Sequence, residues 1–410
     1  MTRKYLDIID PIHGFIHVQK HELAVIDSPI FQRLRRIKQL SGAHLTYPAA
    51  QHARFEHSLG VMHIAGQAGR ALLEGGVLHS DDVEVLRLAG LLHDVGHGPF
   101  SHLFEQIAGK KLSHEDFGKQ IIIHSEIGDI LSKNGFDKKI ISSIAFGESK
   151  RRFVNEIVSG ALSADVMDYL QRDGYFTGAE HARVDHRRLT QSMDVYRGRL
   201  ALEKSALYSF ESMMHSRYQM FKAVYFHKTV RAAEVTLLEA LRASESEFGF
   251  TSLELDKYVE LTDEYVLSRI ASSESTGLER AKKLVCDYQN RNLPKCVYER
   301  IMTGKPDLAK YGTSELRESI SEKSGIKSSE IFVDSSVTPS MPLAPSKNES
   351  KSVILVENRH GRRHTTELPV SEMPAVSAIS GFMNILRVYT HQRYRKKVEI
   401  AAESIIGGLE

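Results

Sequence analysis

Hydrophobic side chains recur at helical spacing through most of the first 245 residues of this chain. Asp27-Ser28-Pro29 is typical of a helix start, because the first residues can cap the helix and proline fits its first turn. Apolar residues at intervals of three or four predict further helices at about 56–74, 82–93, 114–132, 152–172 and 205–243. Short β-prone segments predict one hairpin in the first 18 residues and another around Arg197-Gly198. The pattern therefore predicts a mainly α-helical core with short β-hairpins.

The pattern changes beyond about residue 245, where the chain is more polar and is interrupted by glycine and proline. A loop is predicted at 337–352. The alternating segments SVILVEN and FMNILRVYT predict strands, and RYRKKVEIAAESII predicts a closing helix. We therefore predict two domains, a helical core at 1–244 and a mixed α/β C-terminal lobe at 245–410, for which oligomerisation or regulation is the candidate role.

Composition excludes several classes of protein. The 54 basic and 52 acidic side chains leave a formal net charge of +2, so no overall field points to nucleic acid or a membrane. Cys286 and Cys296 are too few for a disulfide framework, which fits a reducing compartment. No segment approaches the ~20 apolar residues of a membrane span, and no secretory leader or phosphate-binding GxxxxGK[ST] loop is present. We expect a soluble cytoplasmic protein that is not a P-loop kinase or ATPase.

Histidines carry the most informative chemistry. Ten of the 20 histidines lie between His44 and His124. The pair His93-Asp94 stands at the end of an apolar helix, in LRLAGLLHDVGHGPFSH, where a buried carboxylate without a partner would be costly. A cation is the natural partner. The segment from Gly96 to Pro99 breaks the helix and lets the chain fold closely around whatever binds.

Further ligands must come from other helices, because two cannot hold a catalytic metal well. His57 and Asp165 lie in apolar helical segments of their own, and with His93 and Asp94 they make a set of two imidazoles and two carboxylates. Such a set suits Fe, Mn, Co, Ni, Zn or Mg and leaves positions free for water and a phosphate oxygen. Taken alone, Asp165 could equally be a helix N-cap after Ser163-Ala164.

The order of these four residues resembles the H…HD…D signature of the HD superfamily of phosphohydrolases. The segments DPIHGFI, FQRLRRIKQLSGAH, ARFEHSLGV, LLHDVGHGPFSHLFE, DVMDYLQRD and SRYQMFKAVYFHKTV resemble the corresponding blocks of deoxynucleoside triphosphate (dNTP) triphosphohydrolases. The resemblance is strongest to enzymes that combine a sterile alpha motif with an HD domain, and it covers roughly residues 5–230. The sterile-alpha-motif domain itself is not expected in this chain.

The resemblance implies an activity and a set of catalytic residues. Water would attack the α-phosphorus of a dNTP and release a deoxynucleoside and intact triphosphate. One divalent metal would be held by His57, His93, Asp94 and Asp165, and additional Mg²⁺ can accompany the substrate phosphates. Catalytic roles would fall to His102, His114, Glu105 and His97. Glu105 stands where the relatives carry an aspartate, and His97 corresponds to a phosphate contact or a partner of the metal ligands.

Substrate contacts are also implied by the resemblance. Gln39 and Leu40 correspond to positions beside the sugar and base. Phosphate contacts correspond to Arg54 and Arg217, and contacts to the ribose and its 3′-hydroxyl correspond to Tyr169, Asp173 and Tyr225. Guanidinium groups bind phosphate bidentately, and a tyrosine ring against the sugar can exclude a 2′-hydroxyl.

Three positions keep alternatives open. Arg54 could instead form a surface ion pair, and Tyr169 could belong to the core. Val166 stands where the relatives carry a phosphate-binding lysine, which leaves the preference for triphosphates open.

A nucleotide-activated oligomer is a second implication of the resemblance. Asp27, Gln32 and Arg35 correspond to a guanine-nucleotide activator pocket, and His227 and Lys228 to further effector contacts. These residues would bind GTP or a dNTP and support a homo-oligomer, a dimer or tetramer. No lysine matches the family pattern near the start of the chain. Without the resemblance, the basic residues around Arg35 predict a solvated helix face.

Two other functions remain as alternatives. The metal site could act on nucleoside monophosphates, cyclic nucleotides or guanosine polyphosphates. Alternatively, the chain could be a non-catalytic protein that binds a nucleotide or, through RRIK, KSGIK and QRYRKK, single-stranded nucleic acid. Nucleic-acid binding is not favoured, because the chain has no Trp and only 8% aromatic residues for base stacking. The complete ligand set with His102 and His114 favours an enzyme.

Overall fold

The computed structural model describes residues 5–108, 113–302, 313–339, 352–360, 362–369, 372–373 and 382–407. Its first ten helices are α1 (Lys20–Ile26), α2 (Pro29–Gln32), α3 (Arg54–Glu74), α4 (Ser80–Leu92), α5 (His102–Ala108), α6 (His114–His124), α7 (Glu126–Lys133), α8 (Lys138–Ala145), α9 (Arg152–Val158) and α10 (Ala164–Thr177). They are followed by α11 (His186–Gln191), α12 (Leu207–Met220), α13 (Lys228–Phe248), α14 (Leu255–Tyr258), α15 (Asp263–Ala271), α16 (Glu279–Gln289), α17 (Thr313–Ser324) and α18 (Arg395–Ile406). A π-helical turn, Phe221–Tyr225, joins α12 to the segment before α13.

The strands form three small sheets. They are β1 (Tyr5–Asp10), β2 (Gly14–Gln19), β3 (Met193–Tyr196), β4 (Arg199–Glu203), β5 (Lys295–Met302), β6 (Ile331–Pro339), β7 (Ser352–Arg359), β8 (Arg362–Pro369) and β9 (Phe382–Thr390). Both predicted hairpins are confirmed, as β1–β2 and β3–β4. The prediction of a mainly α-helical fold with short β-hairpins and a C-terminal part that mixes helices and strands is confirmed.

Three predicted helices prove to be interrupted. The segment 114–132 is two helices, because Ser125 adopts an extended conformation and caps α7 by accepting a bond from the Ile127 amide. The segment 152–172 is divided between α9 and α10, and 205–243 is divided at Phe221–Tyr225 and His227. The sequence did not predict these short breaks, because the hydrophobic periodicity continues across them and the breaks depend on local capping. The predicted loop at 337–352 is also too long, because β6 ends at Pro339 and β7 begins at Ser352; residues 340–351 lie outside the described residues.

The main core is built around α3, whose buried face contacts α4 and α10. Close packing depends on glycines at two crossings. A Cβ at Gly90 of α4 would lie 3.2 Å from the Val61 carbonyl oxygen, and a Cβ at Gly60 of α3 would lie 1.8 Å from Asp168 Oδ1 of α10. The backbones of α3, α4 and α10 therefore approach closely enough for short side chains from all three helices to meet.

The loop after α4 is held in an unusual conformation by the C-terminal lobe. As expected from the glycines and proline, α4 ends at Leu92 and the chain turns sharply, with positive φ at Phe100 (57°). The Phe100 amide donates to Asp263 Oδ1 of α15 (2.8 Å), and Tyr258 Oη of α14 donates to the Gly96 carbonyl (2.7 Å). Elements after residue 245 thus fix the loop that follows the His-Asp pair.

The C-terminal lobe contains a three-stranded antiparallel sheet in the order β5-β9-β6, packed against α17 and α18. The hairpin β7–β8 instead joins the core sheet, where β7 pairs in parallel with β4 in the order β3-β4-β7-β8. The predicted boundary at residue 244 falls within α13, which packs against both parts. No helix within the described ranges is long and apolar enough to cross a membrane.

Candidate metal centre

Four side chains from three helices meet where α3, α4 and α10 approach. His57 is on α3, His93 and Asp94 directly follow α4, and Asp165 is in the first turn of α10. His57 Nε2 lies 3.2 Å from Asp165 Oδ1 and 3.6 Å from Asp94 Oδ2. His93 Nε2 lies 3.3 Å from Asp94 Oδ1 and 3.8 Å from Asp165 Oδ1. The four residues that the sequence predicts as ligands are therefore close together.

The second nitrogen of each imidazole is already engaged, which orients the ring. His57 Nδ1 lies 2.8 Å from Asp168 Oδ2, and His93 Nδ1 lies 2.8 Å from the Gly90 carbonyl oxygen. The Nε2 atoms of His57 and His93 are buried and form no hydrogen bond with any described residue. Two oriented imidazole nitrogens facing two carboxylates are the donor set of a divalent metal, so the residues present fit such an ion.

Charge in the site supports the same interpretation. Burial acts to raise the pKa of Asp165, but His57 and His93 outweigh it and hold that pKa below its usual range. Burial acts to lower the pKa of His57, yet contacts with Asp165 and Asp168 raise it to about 10. Carboxylates that favour a proton on a buried imidazole would equally favour a metal cation, which binds in exchange for that proton.

Asp165 does not cap its helix. Ser163 is the N-cap of α10, because its Oγ accepts a hydrogen bond from the Val166 amide at 3.2 Å. The capping alternative for Asp165 is therefore wrong, and its carboxylate is directed towards His57 and His93 instead.

A second cluster of histidines lies beside the metal centre. His97 and His114 stack with ring centroids 3.9 Å apart, and His102 lies 5.1 Å from His97 and 5.8 Å from His114. Glu105 accepts from His114 Nδ1 in a very short contact and lies 3.5 Å from His102 Nδ1. His97 also connects the two groups, with Nε2 3.3 Å from Asp94 Oδ1. All four residues predicted as catalytic are thus brought together.

The two stacked imidazoles of the cluster have pKa values shifted in opposite directions. Burial acts to lower the pKa of His114, but the Glu105 carboxylate raises it above its usual value. The pKa of Glu105 is correspondingly depressed, because His102 and His114 outweigh its burial. Burial and the nearby Arg54 hold the pKa of His97 well below its ordinary value. Glu105 therefore favours a proton on His114, whereas burial and Arg54 favour the neutral form of His97.

One cavity of about 290 Å³ is lined by residues of both groups, namely His93, Asp94 and Asp165 from the first and His97, His102 and His114 from the second. Four of the predicted substrate residues also line it: Gln39, Arg54, Tyr169 and Arg217. Arg54 is buried, bonds to Asp94 in a very short contact and donates from Nε to Ser101 Oγ at 2.8 Å, so the surface ion-pair alternative is wrong for this residue. Val166 lines the cavity too, placing an apolar wall where a lysine was expected from the resemblance.

Three predicted substrate residues stand behind the cavity wall or away from it. Asp173 is buried and joins two other side chains, at 2.8 Å from His52 Nε2 and 2.6 Å from Tyr225 Oη, which donates to it. Leu40 packs in a small apolar cluster that contains Ala43. Direct contacts from these three residues to a substrate stay a prediction.

The five effector candidates have contacts of two kinds. Arg35 Nε donates to Gln32 Oε1 at 2.8 Å, and Asp27 is exposed beside them in sequence. His227 caps α13, accepting a bond from the Thr229 amide, and Lys228 is exposed. These contacts neither require nor contradict a nucleotide, so the effector site stays a prediction.

A buried network that supports the candidate metal ligands was not predicted from the sequence. Asp168 Oδ1 lies 2.6 Å from His13 Nε2, and both of its oxygens accept from Arg172 at 2.9 Å. Arg172 also donates to Asp10 at 2.8 Å. A signal was present in the chain: Asp165, Asp168 and Arg172 are spaced three and four residues apart, which places them on one helix face.

Comparison with known proteins defines the class. A sequence profile of the HD domain matches residues 54–173, which include all four proposed metal ligands, and a profile of the HD associated region matches residues 184–408. The chain therefore belongs to the HD-domain phosphohydrolase family.

Three individual proteins are similar to this chain in sequence or in structure. The chain is 33% identical over 357 residues to the deoxynucleoside triphosphate triphosphohydrolase SAMHD1 homolog of Dictyostelium discoideum, covering 81% of this chain and 68% of that protein. It is 40% identical over 237 residues to an uncharacterized protein of Bacillus subtilis, covering 57% of this chain and 54% of that one. The chain thus spans about half the length of that relative. A solved phosphohydrolase from Bacteroides thetaiotaomicron is similar with a TM-score of 0.76 and 25% identity, over 95% of this chain and 100% of that one.

Proposed function

We propose that this protein hydrolyses dNTPs to a deoxynucleoside and intact triphosphate. The observation that carries the proposal is a single cavity lined by His93, Asp94 and Asp165, by the histidines of the second cluster and by Arg54 and Arg217, with His57 beside Asp165 at 3.2 Å. The similarity to the SAMHD1 homolog, named a dNTP triphosphohydrolase, supports this substrate class. A divalent metal bound there would polarise a phosphoryl oxygen and lower the pKa of a water molecule.

The residues of the chain would supply charge and a proton. Arg54 and Arg217 line the cavity and would bind phosphate oxygens. When the bond between the α-phosphorus and the 5′-oxygen breaks, that oxygen must take up a proton. Because Glu105 raises the pKa of His114, this imidazole carries a proton to donate. Tyr169, also in the cavity wall, would pack against the sugar and disfavour a 2′-hydroxyl.

Product analysis tests the proposal. The purified protein would be incubated with each dNTP and each ribonucleotide, with Mn²⁺ or Mg²⁺ and with or without GTP, and products resolved by ion-pair chromatography. We expect deoxynucleoside plus triphosphate from dNTPs. Release of a monophosphate with pyrophosphate would replace the proposed bond cleavage, and turnover only of monophosphates, cyclic nucleotides or guanosine polyphosphates would replace the substrate assignment. Either outcome would leave the metal site intact.

Matched variants assign the activity to the site. Asp165→Ala should abolish turnover and metal binding, whereas Asp194→Ala, which removes a surface carboxylate paired with Arg363, should retain both. Circular dichroism would check the fold of each variant. Full turnover in Asp165→Ala with metal still bound would exclude the assigned ligand set.

We further propose that a guanine nucleotide or dNTP activates the protein by promoting a homo-oligomer. The support is the resemblance at Asp27, Gln32 and Arg35, with Arg35 held by Gln32 at 2.8 Å. Light scattering with added GTP or dGTP should then show a rise in mass, and Arg35→Ala should reduce it. A mass independent of nucleotide would contradict the activator role without affecting the catalytic proposal.

A further inference from the structure

A second polar cavity lies between α3 and α11, on residues that the catalytic cavity does not use. This α3–α11 pocket has a volume of about 290 Å³ and is lined by Gln67, Arg70, Glu74, Arg187 and Gln191, among others. The catalytic cavity and the α3–α11 pocket share no lining residue. Gln67 follows His57 by ten residues on α3, which corresponds to about 15 Å along the helix. The two cavities are therefore separate sites on the same helix.

The two arginines of the pocket lie near Glu74 but make no close ion pair with any residue that the structure describes. Within the described part of the chain, neither Arg70 nor Arg187 forms an ion pair or a side-chain hydrogen bond, although Glu74 lies one turn after Arg70. Partial burial and the positive charge of Arg87 lower the pKa of Arg70, so an added anion would relieve an unfavourable environment. Arg87 does not share this need, because it is paired with Glu22.

The floor of the pocket is held in place by the core. Gln67 Nε2 lies 2.8 Å from His63 Nε2, and the His63 ring stacks on His13 with centroids 5.2 Å apart. His13 in turn bonds to Asp168 at 2.6 Å. This leaves Gln67 Oε1 buried and without a hydrogen-bond partner in the described structure. The pocket therefore combines a held amide that has an unpaired acceptor with two exposed guanidinium groups.

We propose that the α3–α11 pocket binds a small phosphate-bearing anion. Arg70 and Arg187 would bind the phosphate oxygens, and Gln67 Oε1 would accept from a hydroxyl or amino group of the same ligand. Even with Glu74, the formal charge of these lining groups is positive. The volume lies near the lower end of small-molecule sites, roughly 300–1,000 Å³, which is more than one carboxylate needs. A nucleotide and a short polyphosphate share the required chemistry.

Equilibrium dialysis would test the pocket with two probes, inorganic tripolyphosphate and a deoxynucleoside triphosphate analogue whose 5′-oxygen is replaced by CH₂, which removes the bond that the proposed reaction breaks. The full-length Arg70→Gln/Arg187→Gln variant is expected to lose one binding site per chain, or to bind there at least tenfold more weakly. Equal affinity of the two probes at that site would identify the phosphates as the recognised group. Tighter binding of the nucleotide analogue, reduced by Gln67→Leu, would identify a nucleotide.

A charge-matched control separates a site from general charge. Lys139→Gln/Arg152→Gln also removes two exposed positive charges but lies outside the α3–α11 pocket, and it should keep the wild-type stoichiometry. Unchanged stoichiometry and affinity in Arg70→Gln/Arg187→Gln would overturn the proposal, as would an equal loss in the control. Because no catalytic residue is altered, dNTP turnover in these variants tests the proposed function separately.

Discussion

Two carboxylates of α10, one turn apart, are suited to different roles because their surroundings differ. Asp165 faces the His57 and His93 Nε2 atoms, whereas Asp168, one turn later, is buried against His57 Nδ1 and Arg172. The first is positioned to bind a metal and the second to orient a ligand. Partners of this second kind commonly affect metal affinity almost as strongly as ligands do.

Asp168→Asn should weaken metal binding and destabilise the fold. Loss of the negative charge removes the acceptor that orients His57 and leaves buried Arg172 with Asp10 as its remaining anionic partner. We expect metal affinity to fall about 10–100-fold and the free energy of unfolding to fall by roughly 3–5 kcal/mol. Metal titration of the folded protein and urea denaturation measure the two effects.

The surface variant Asp194→Asn serves as the control for Asp168→Asn. Its partner Arg363 is exposed, so stability should change by less than about 1 kcal/mol. Wild-type metal affinity in Asp168→Asn would show that His57 needs no anionic partner.

Glu105→Gln should move the pH dependence of turnover. The folded-state pKa of His114 is raised mainly by the Glu105 carboxylate, against burial. If protonated His114 donates to the leaving oxygen, activity is present below that pKa and lost as pH rises through it. Without the carboxylate the pKa falls, so the alkaline limb of the kcat profile should shift to lower pH. At neutral pH, kcat should fall on the order of 10², the lower end of a general acid's contribution.

Steady-state kinetics across pH would measure this effect of Glu105. Glu148→Gln, which alters an exposed carboxylate paired with Lys119, should leave the profile unchanged. An unshifted alkaline limb in Glu105→Gln would mean that another group supplies the proton.

At the scale of elements, the site depends on how closely α3 and α10 approach. Gly60 is the contact point, since any side chain there would meet Asp168 and Arg172. The same crossing brings His57 of α3 to Asp165 of α10, and Ser163 starts α10 at the residue that puts Asp165 in its first turn. Helix spacing and helix register therefore both determine the geometry of the ligands.

Gly60→Ala should disrupt the site although alanine favours helices. Its Cβ would lie 1.8 Å from Asp168 Oδ1 and 2.6 Å from Arg172 Nη2, so the two helices must separate or the buried ion pair must move. We expect a loss of about 3 kcal/mol or more in unfolding free energy, at the upper end for overpacking, and weaker metal binding. Gly75→Ala, whose Cβ would be 3.5 Å from its nearest neighbour, should be nearly neutral in the same urea and metal titrations. Equal stability of the two variants would refute this account of the crossing.

At the scale of the whole molecule, the core and the C-terminal lobe share their interior. One hydrophobic cluster contains Phe100 and Phe104 from the metal-site side together with Val285, Phe332 and Tyr389 from the lobe. We propose that residues 245–410 stabilise the loop that follows the His93-Asp94 pair. This role would be in addition to the candidate role of the lobe in oligomerisation or regulation. Buried Arg33 supports this, because it donates to carbonyls of both Leu261 and His97.

Thermal unfolding should consequently occur as one transition. Because α13 and the shared cluster belong to both parts, separation would expose apolar surface on each. Calorimetry should give equal calorimetric and van't Hoff enthalpies for the metal-free protein, the mark of two-state unfolding. Two resolved transitions would instead support independent domains divided near residue 244.

The helical core, the hairpins and much of the candidate site could be predicted from the sequence alone. Periodicity predicted the helical core because burial imposes it locally, and the hairpins follow from short β-prone segments around turns. The candidate metal site was predictable because His93-Asp94 combines costly groups at an apolar helix end and because His57 and Asp165 lie in apolar helical segments. The resemblance added the histidine cluster.

Only the tertiary structure decided which distant residues meet. Asp168, Arg172 and His13 gained their role through a helix crossing at Gly60, and the pairing of β7 with β4 joins strands about 150 residues apart. Arg54 proved to be bound to Asp94. Tyr258 and Asp263 of the lobe hold the loop that follows α4. Such contacts depend on long-range packing and on the burial of polar groups. The spacing of Asp165, Asp168 and Arg172 places them on one helix face, but it does not identify their partners on other elements.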